Sequence, residues 1–146
     1  AAQATGCSPV TTAIKNGTEN IIPVKPNTIA KSIAIGNPAD GYYGIKTANA
    51  SGGYGEDISD EEIVSAMKLL AETEGIFTET AGGVTVGVTQ KLIQQGRIKP
   101  DEVTVICITG NGLKTQEALA DCFPAPEVIE PNIKGFEEVF ANSLTV

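Results

Sequence analysis

A short apolar run that ends in glycines constrains the fold of this chain more than any other feature. The run VTVICIT occupies residues 103–109 and is followed directly by Gly110-Asn111-Gly112. An unbroken apolar run of this length, closed by a turn, is typical of a strand that is covered on both faces. Strands of that kind belong to parallel sheets, whose crossover connections are usually helices. The run therefore favours an α/β fold.

Signals for helices and for short strands alternate along the rest of the chain. Ser8-Pro9 predicts a helix start, and Ser59 followed by Glu62 has the spacing of a capping box. The segment IFTET at 76–80 predicts a second buried strand, and the glycine-rich segment 81–96 predicts the helix after it. We therefore predict a three-layer α/β domain with a mostly parallel sheet and helices on both faces.

The composition excludes several classes of function. The net charge is −8 and the chain contains no His. We therefore expect no nucleic-acid surface and no surface for anionic membranes, since both need clustered Lys and Arg. Zinc sites built on His and Ser-His or Cys-His nucleophile pairs are excluded, and we expect no metal. Because no apolar run could span a bilayer and no signal peptide opens the chain, we expect a soluble protein.

Three candidate sites lie where strands are predicted to end, which is where ligands bind in parallel sheets. Thr109 could donate a hydrogen bond to an aromatic nitrogen, or it could simply precede a turn. Glu79 precedes a helix and is equally well explained as an N-terminal cap. Asn37-Pro38-Ala39 is either a rigid loop that lines a pocket or an ordinary turn. The glycines Gly82-Gly83 favour close helix packing, with a ligand as the alternative, because each costs a helix about 1 kcal/mol.

Five motifs in the same order resemble segments of the threonine synthase family, pyridoxal-phosphate enzymes of the tryptophan-synthase-β fold type. The motifs are AAQATGCSPV, TIAKSIAIGNPA, SGG followed by ISDEEI, EGIFTETAGG and VICITGNGLKT. The resemblance extends to about Glu117. The family often has Pro at the position of Thr80 and His at the position of Asn111, so details near the substrate differ.

The resemblance implies a cofactor, a reaction and roles for the candidate residues. The cofactor is pyridoxal 5'-phosphate, with the Thr109 hydroxyl on its pyridine nitrogen, Glu79 near the ring, and Asn37, Pro38 and Ala39 along it. The implied reaction converts O-phospho-L-homoserine and water into L-threonine and phosphate. The resemblance also implies a homodimer in the cytoplasm, or in a plastid if the source is a plant.

The parts of the family that bind the cofactor covalently and hold its phosphate are missing from this sequence. None of the nine lysines is followed by Asp, as the Schiff-base lysine of the family is, and no GNxGN loop is present. We expect both before Ala1, so the chain itself contains no catalytic residue and is inactive alone. We assign 1–122 to the end of the catalytic domain and 123–146 to a proline-bounded connector and terminal helix.

Two alternatives and one uncertain contact remain. The chain could belong to a related pyridoxal-phosphate threonine or serine dehydratase, although those lack the IGNPA loop, or it could be a non-catalytic segment that only dimerises. The terminal helix carries an apolar side, which we expect to pack on the sheet or to reach a partner subunit. That side consists of Ile133, Phe136, Val139 and Phe140.

Overall fold

The structure is a computed structural model that describes residues 1–123, 125 and 127–141. Its two strands are β1, Ala2–Ala4, and β2, Glu56–Ile58. The helices are α1, Pro9–Lys15; α2, Gly41–Ala50; α3, Asp60–Glu74; α4, Thr80–Gln94; and α5, Ile133–Phe140. Short 3-10 turns cover Lys31–Ile33, Gly112–Lys114, Gln116–Ala118 and Ala120–Cys122.

The two strands pair in parallel, with Ala2 opposite Glu56 and Ala4 opposite Ile58. Pro9 is the first residue of α1, as the sequence predicts, but the cap comes from Gln3 rather than from Ser8. The Gln3 side-chain oxygen accepts hydrogen bonds from the backbone N–H groups of Val10 and Thr11, at 2.9 and 3.0 Å. A strand residue thus satisfies two free N–H groups of the helix that follows it.

Helix α3 begins and ends where the sequence predicts. The Ser59 hydroxyl accepts from the Glu62 N–H at 3.3 Å, and the Glu62 carboxylate accepts from the Ser59 N–H at 2.7 Å. These two bonds complete the capping box. Gly75 ends the helix at φ 67°, a left-handed conformation that glycine adopts without a steric penalty.

The core lies between the small sheet and the pair α3 and α4. Its fully buried members include Ile58 of β2, Ile63 and Met67 of α3, and Val84 of α4. A Cβ added at Gly83 would lie 2.6 Å from Met67 Cγ, and both Gly82 and Gly83 are buried. The prediction of close helix packing is therefore confirmed for Gly83, whereas a Cβ at Gly82 would overlap the side chain of Thr78, just before α4.

Two predicted strands are wrong. Residues 103–109 form no strand, and Val103 and Val105 are 96 % and 84 % exposed. Segment 76–80 contributes only an isolated bridge between Thr78 and Asn111, with Ile76 and Phe77 partly exposed. A strand needs a neighbour to pair its backbone groups, and the described residues supply none for 103–109. Among the described residues the sheet has two parallel strands, so the predicted three-layer arrangement is not confirmed.

The apolar side of α5 is not covered either. Ile133 and Phe136 are 77 % and 44 % exposed, and the rings of Phe136 and Phe140 stack on each other at 4.9 Å between centroids. The expected packing of this helix on the sheet is therefore not observed among the described residues. The predicted end of the helix, at 142–144, lies outside the described residues. No described helix is both long and apolar enough to cross a membrane.

Candidate functional site

Two of the three candidate segments are held together by a set of polar bonds, which we call the clamp and define as the hydrogen bonds between residues 77–80 and 110–115. The backbone N–H of Glu79 donates to the Gly110 carbonyl at 3.0 Å, and that of Gly112 donates to the Phe77 carbonyl at 3.0 Å. The Thr78 hydroxyl also donates to the Gly110 carbonyl, at 3.2 Å. The segments around Glu79 and Thr109 are thus joined through their backbones.

A fourth bond of the clamp involves the start of α4. The N–H of Thr80 donates to the Thr115 hydroxyl at 3.2 Å, and both residues are buried. This bond satisfies one of the N–H groups that a helix leaves free in its first turn. The Thr80 hydroxyl itself is buried without a hydrogen-bond partner among the described residues. The clamp therefore connects the N-terminus of α4 to the turn after Thr109.

Glu79 is the most deeply buried acidic side chain next to this clamp. Its side chain is 5 % exposed, and the Lys114 ammonium lies 3.3 Å from Oε2 and 3.4 Å from Oε1. Oε2 is within ion-pair distance of Lys114 but receives no hydrogen bond within the described part of the chain. Glu79 is the N-cap residue of α4, yet its side chain makes no capping bond. The simple capping explanation for Glu79 is therefore not supported.

Gly110 allows the carboxylate of Glu79 to lie directly against the backbone that follows Thr109. A Cβ built at position 110 would overlap the Glu79 carboxylate. This is a packing reason for glycine at that position, independent of any turn. The two residues are thus in van der Waals contact as well as joined by a hydrogen bond.

Thr109 is exposed, and its hydroxyl makes no hydrogen bond to any residue that the structure describes. The hydroxyl is therefore free to donate to an external acceptor. The notion of a rigid strand end is incorrect here, because 103–109 is not in a strand. What fixes the position of Thr109 is the clamp at the next residue, Gly110.

The loop Asn37-Pro38-Ala39 is held by a different part of the chain. The Gly36 carbonyl accepts from the Val24 N–H at 3.0 Å, and the Pro38 carbonyl accepts from the Gly41 N–H at 3.3 Å. Asn37 and Ala39 are exposed and Pro38 is half-buried. No hydrogen bond between described residues joins this loop to Glu79 or to Gly110. The turn that precedes the loop, Lys31–Ile33, does pack against α4.

A second cluster of charges, which the sequence does not predict, joins α1, β2 and α4. The Lys15 ammonium contacts the carboxylates of Glu56 and Asp57, the latter at 2.5 Å. Gln95 donates to Glu56 at 2.9 Å, and Lys91 donates to the Asp57 carbonyl at 2.7 Å. The charged groups of this cluster pair with one another or with Gln95, so we interpret the cluster as structural. We call it the Lys15–Glu56 cluster.

The pKa values of this cluster follow from its contacts. Burial alone would raise the pKa of Glu56, but hydrogen bonds from Lys15, Gln95 and the Asp57 N–H outweigh it and lower the pKa from 4.5 to about 2. For Lys15, burial would lower the pKa, but the bonds to Asp57 and Glu56 prevail and raise it above its ordinary value of 10.5. Each ion stabilises the charged form of the other.

The residues present fit one edge of the cofactor that the resemblance implies. An unpaired hydroxyl at Thr109 matches a ring nitrogen that accepts a hydrogen bond. The neighbouring Glu79 carboxylate has one oxygen without a hydrogen bond, and Gly110 leaves no side chain between them. The described residues contain no group of His, Cys, Asp and Glu that could hold a metal ion.

Comparison with known proteins concerns the family and the cofactor of this chain. Residues 1–110 match the family model described as "Pyridoxal-phosphate dependent enzyme". The threonine synthase of Methanocaldococcus jannaschii is 43 % identical over 129 residues, which are 88 % of this chain and 32 % of the relative. That of Methanosarcina acetivorans is 41 % identical over 138 residues, 93 % of this chain and 34 % of the relative.

The chain spans about a third of the length of the curated relatives it matches. A further threonine synthase, from Bacillus sp., is 44 % identical over 90 residues, 62 % of this chain and 26 % of the relative. The resemblance to threonine synthases is confirmed, and these matches point to pyridoxal phosphate as the cofactor. The chain belongs to the family of pyridoxal-phosphate dependent enzymes.

Proposed function

We propose that this chain is the C-terminal part of a threonine synthase, which as a complete enzyme converts O-phospho-L-homoserine and water into L-threonine and phosphate. The observation that carries the proposal is the clamp, which joins Glu79 to Gly110 and leaves the adjacent Thr109 hydroxyl exposed and unpaired. The names of the relatives support the substrate class.

Each candidate residue has a role in this proposal. When bound, pyridoxal phosphate withdraws electrons from the carbon skeleton of an amino-acid substrate. The Thr109 hydroxyl donates a hydrogen bond to the ring nitrogen, but it does not protonate that nitrogen as a carboxylic acid would. Such a partner suits elimination and replacement, where electrons must be returned to the substrate. Glu79 lies near the ring, and Asn37, Pro38 and Ala39 lie along it.

The exposed apolar surfaces support a larger fold in the complete enzyme. Residues 103–109 have the composition of a buried strand but are exposed here, with Val103 and Val105 the most open. We propose that in the complete enzyme they add a strand to a mostly parallel sheet with helices on both faces, which gives three layers. The rest of that sheet would include strands from the part of the enzyme outside this chain. Residues 1–122 then close the catalytic domain and 123–146 connect to a terminal helix.

An exposed apolar helix face also supports association between subunits. The apolar side of α5 is exposed over Ile133 and Phe136, and such faces usually contact another surface. We propose that the complete enzyme is a homodimer. Sedimentation of that enzyme, with and without cofactor, distinguishes a dimer from a monomer.

The central test measures phosphate release from O-phospho-L-homoserine by the full-length enzyme. We expect the Thr109→Val variant to lose about 2- to 10-fold in kcat, since a hydrogen bond between uncharged groups contributes about 0.5–1.5 kcal/mol. Thr109→Ser should recover most of the rate because it retains the hydroxyl. Thr104→Val, which removes a hydroxyl from the same apolar run, serves as the matched control.

The alternatives predict different results in the same assay. Deamination of threonine without phosphate release would identify a dehydratase instead. A full-length protein that shows neither reaction and no absorbance from bound cofactor would support the non-catalytic alternative. The present chain alone is expected to release no phosphate, since no Lys-Asp motif occurs in it.

A further inference from the structure

We propose that Lys114 is a positioning residue, which holds the buried carboxylate of Glu79 and through it fixes the backbone that carries Thr109. The inference rests on the proposed function, because the position of Thr109 matters only if its hydroxyl meets the cofactor. The candidate sites do not contain Lys114. In this proposal the Glu79 carboxylate serves to bind Lys114 and to fix the neighbouring backbone.

The first step of the inference concerns the charge of Glu79. The side chain is 5 % exposed, and a buried carboxylate is costly unless a positive charge or several donors compensate it. The Lys114 ammonium, at 3.3 and 3.4 Å from the two oxygens, is the cation that the described residues place against it. Lys114 is 61 % exposed at its side chain, so it approaches from the solvent side.

The second step concerns how Glu79, paired with Lys114, fixes the backbone next to Thr109. Its carboxylate lies against Gly110, where any side chain would overlap it. Its backbone N–H donates to the Gly110 carbonyl at 3.0 Å. Gly110 is the residue directly after Thr109. A displacement of the Glu79 side chain therefore moves the peptide that sets the direction of the Thr109 hydroxyl.

The third step concerns the segment of the chain that the ion pair between Glu79 and Lys114 closes. Lys114 belongs to the turn Gly112–Lys114, which follows Gly110 closely. The ion pair therefore joins residues 35 positions apart, and it closes nearly the same segment, with α4 inside it, that the backbone bond between Gly112 and Phe77 closes. Two crosslinks between the ends of one segment restrict the backbone at those ends more than a single crosslink does. Each removes conformational freedom that the other leaves.

The first experiment measures amide hydrogen exchange in the present chain without cofactor. We expect Lys114→Met to accelerate exchange at the amides of Glu79 and Gly112 by about tenfold. Exchange at the Met67 amide, in α3, should not change. Lys114→Arg retains the charge and should stay near the original rates. Lys134→Met, which removes an exposed ion pair with Glu138, is the matched control.

A double variant covers the case in which Lys114→Met leaves a buried charge and fails to fold. Glu79→Gln combined with Lys114→Met removes both charges and retains the side-chain shapes, so the chain should fold. We still expect fast amide hydrogen exchange at residues 79 and 112, because the ion pair between the side chains at positions 79 and 114 is absent. Rates no faster than those of Lys134→Met would overturn the positioning role.

The second experiment uses the full-length enzyme and separates this inference from the proposed function. Lys114→Met should lower kcat by about 2- to 10-fold, as Thr109→Val does, and leave KM within about twofold, as expected for a misplaced group. It should also shift the absorbance band of the bound cofactor, and Lys114→Arg should restore both. An unaffected Lys114→Met enzyme refutes the positioning role alone. An original enzyme that releases no phosphate refutes the proposed function, while the exchange rates still decide whether Lys114 holds the loop.

Discussion

Protonation of Glu56 should remove a large part of the stability of this chain at acid pH. Glu56 is 8 % exposed and is held by Lys15 of α1 and Gln95 at the end of α4. Its carboxylate therefore joins two helices to strand β2. Loss of its charge leaves the Lys15 ammonium with Asp57 alone and takes one acceptor from Gln95.

The magnitude follows from the lowering of the pKa of Glu56 by folding, from 4.5 to about 2. A pKa that is lowered by folding stabilises the folded state above the unfolded pKa, and the contribution disappears as the pH falls towards the folded value. Since a tenfold change in proton affinity corresponds to about 1.4 kcal/mol, the contribution is about 3 kcal/mol above pH 5.5. At pH 3 about 1.4 kcal/mol of it remains.

The assay is urea unfolding followed by circular dichroism at pH 6, 4.5, 3 and 2. The variant Glu56→Gln cannot titrate at this position, so its free energy of unfolding should depend less on pH. The difference between the original chain and the variant should shrink by about 1.5–2 kcal/mol from pH 6 to pH 3. A difference that stays constant over this range would refute the assignment, because other carboxylates titrate equally in both proteins.

The remaining predictions concern the packing and capping of the helices. Gly83→Ala should destabilise the chain by about 1–2 kcal/mol, because the new methyl group overlaps Met67; Gly44→Ala, in a helix where nothing lies within 4 Å, should stabilise it by about 0.5–1 kcal/mol. Thermal unfolding of the two variants tests this contrast, and equal shifts would contradict it. Ser59→Ala should cost about 1 kcal/mol through loss of the capping box. Ser65→Ala within the same helix should change the free energy of unfolding by less than about 0.5 kcal/mol, and similar losses in the two variants would refute the role of the cap.

Local signals predict the helices well. Helix α3 follows from its capping box and from Gly75, and α4 ends one residue before Gln95, close to the predicted stop at Gly96. These features depend on neighbours within four residues, which the sequence contains. The segment YGEDIS at 54–59 predicts a short strand, and the start of the chain resembles the end of one; both are observed, as β2 and β1.

Long-range pairing cannot be predicted in the same way. The apolar run 103–109 has the right composition for a buried strand, but composition says nothing about whether a neighbouring strand is available. Cys107, which its position in that run predicts to be buried, is exposed for the same reason. The cap of α1 by Gln3 and the Lys15–Glu56 cluster join residues that no local pattern connects.

The candidate site shows the same division. The strand-end rule selects the segments of Glu79 and Thr109, which do lie together in the structure, although neither of the two strands that it assumes is formed. It gives no reason to select Lys114, because a lysine after Gly112-Leu113 looks like an ordinary surface residue. A buried acid beside a glycine is the available signal: Glu79 needs a cation, and the nearest lysine in the facing segment is Lys114.

The clamp matters because it is what joins the segment that carries Thr109 to the rest of the chain. The buried core cluster draws almost all its described members from residues 4–88, and beyond them it contains Leu119. The segment that carries Thr109 therefore has little apolar packing to hold it, and Val103 and Val105 are open. Its position depends on the hydrogen bonds at Gly110 and Gly112 and on the Glu79–Lys114 ion pair. If Thr109 has the proposed function, changes in these few polar bonds should therefore alter activity before they unfold the core.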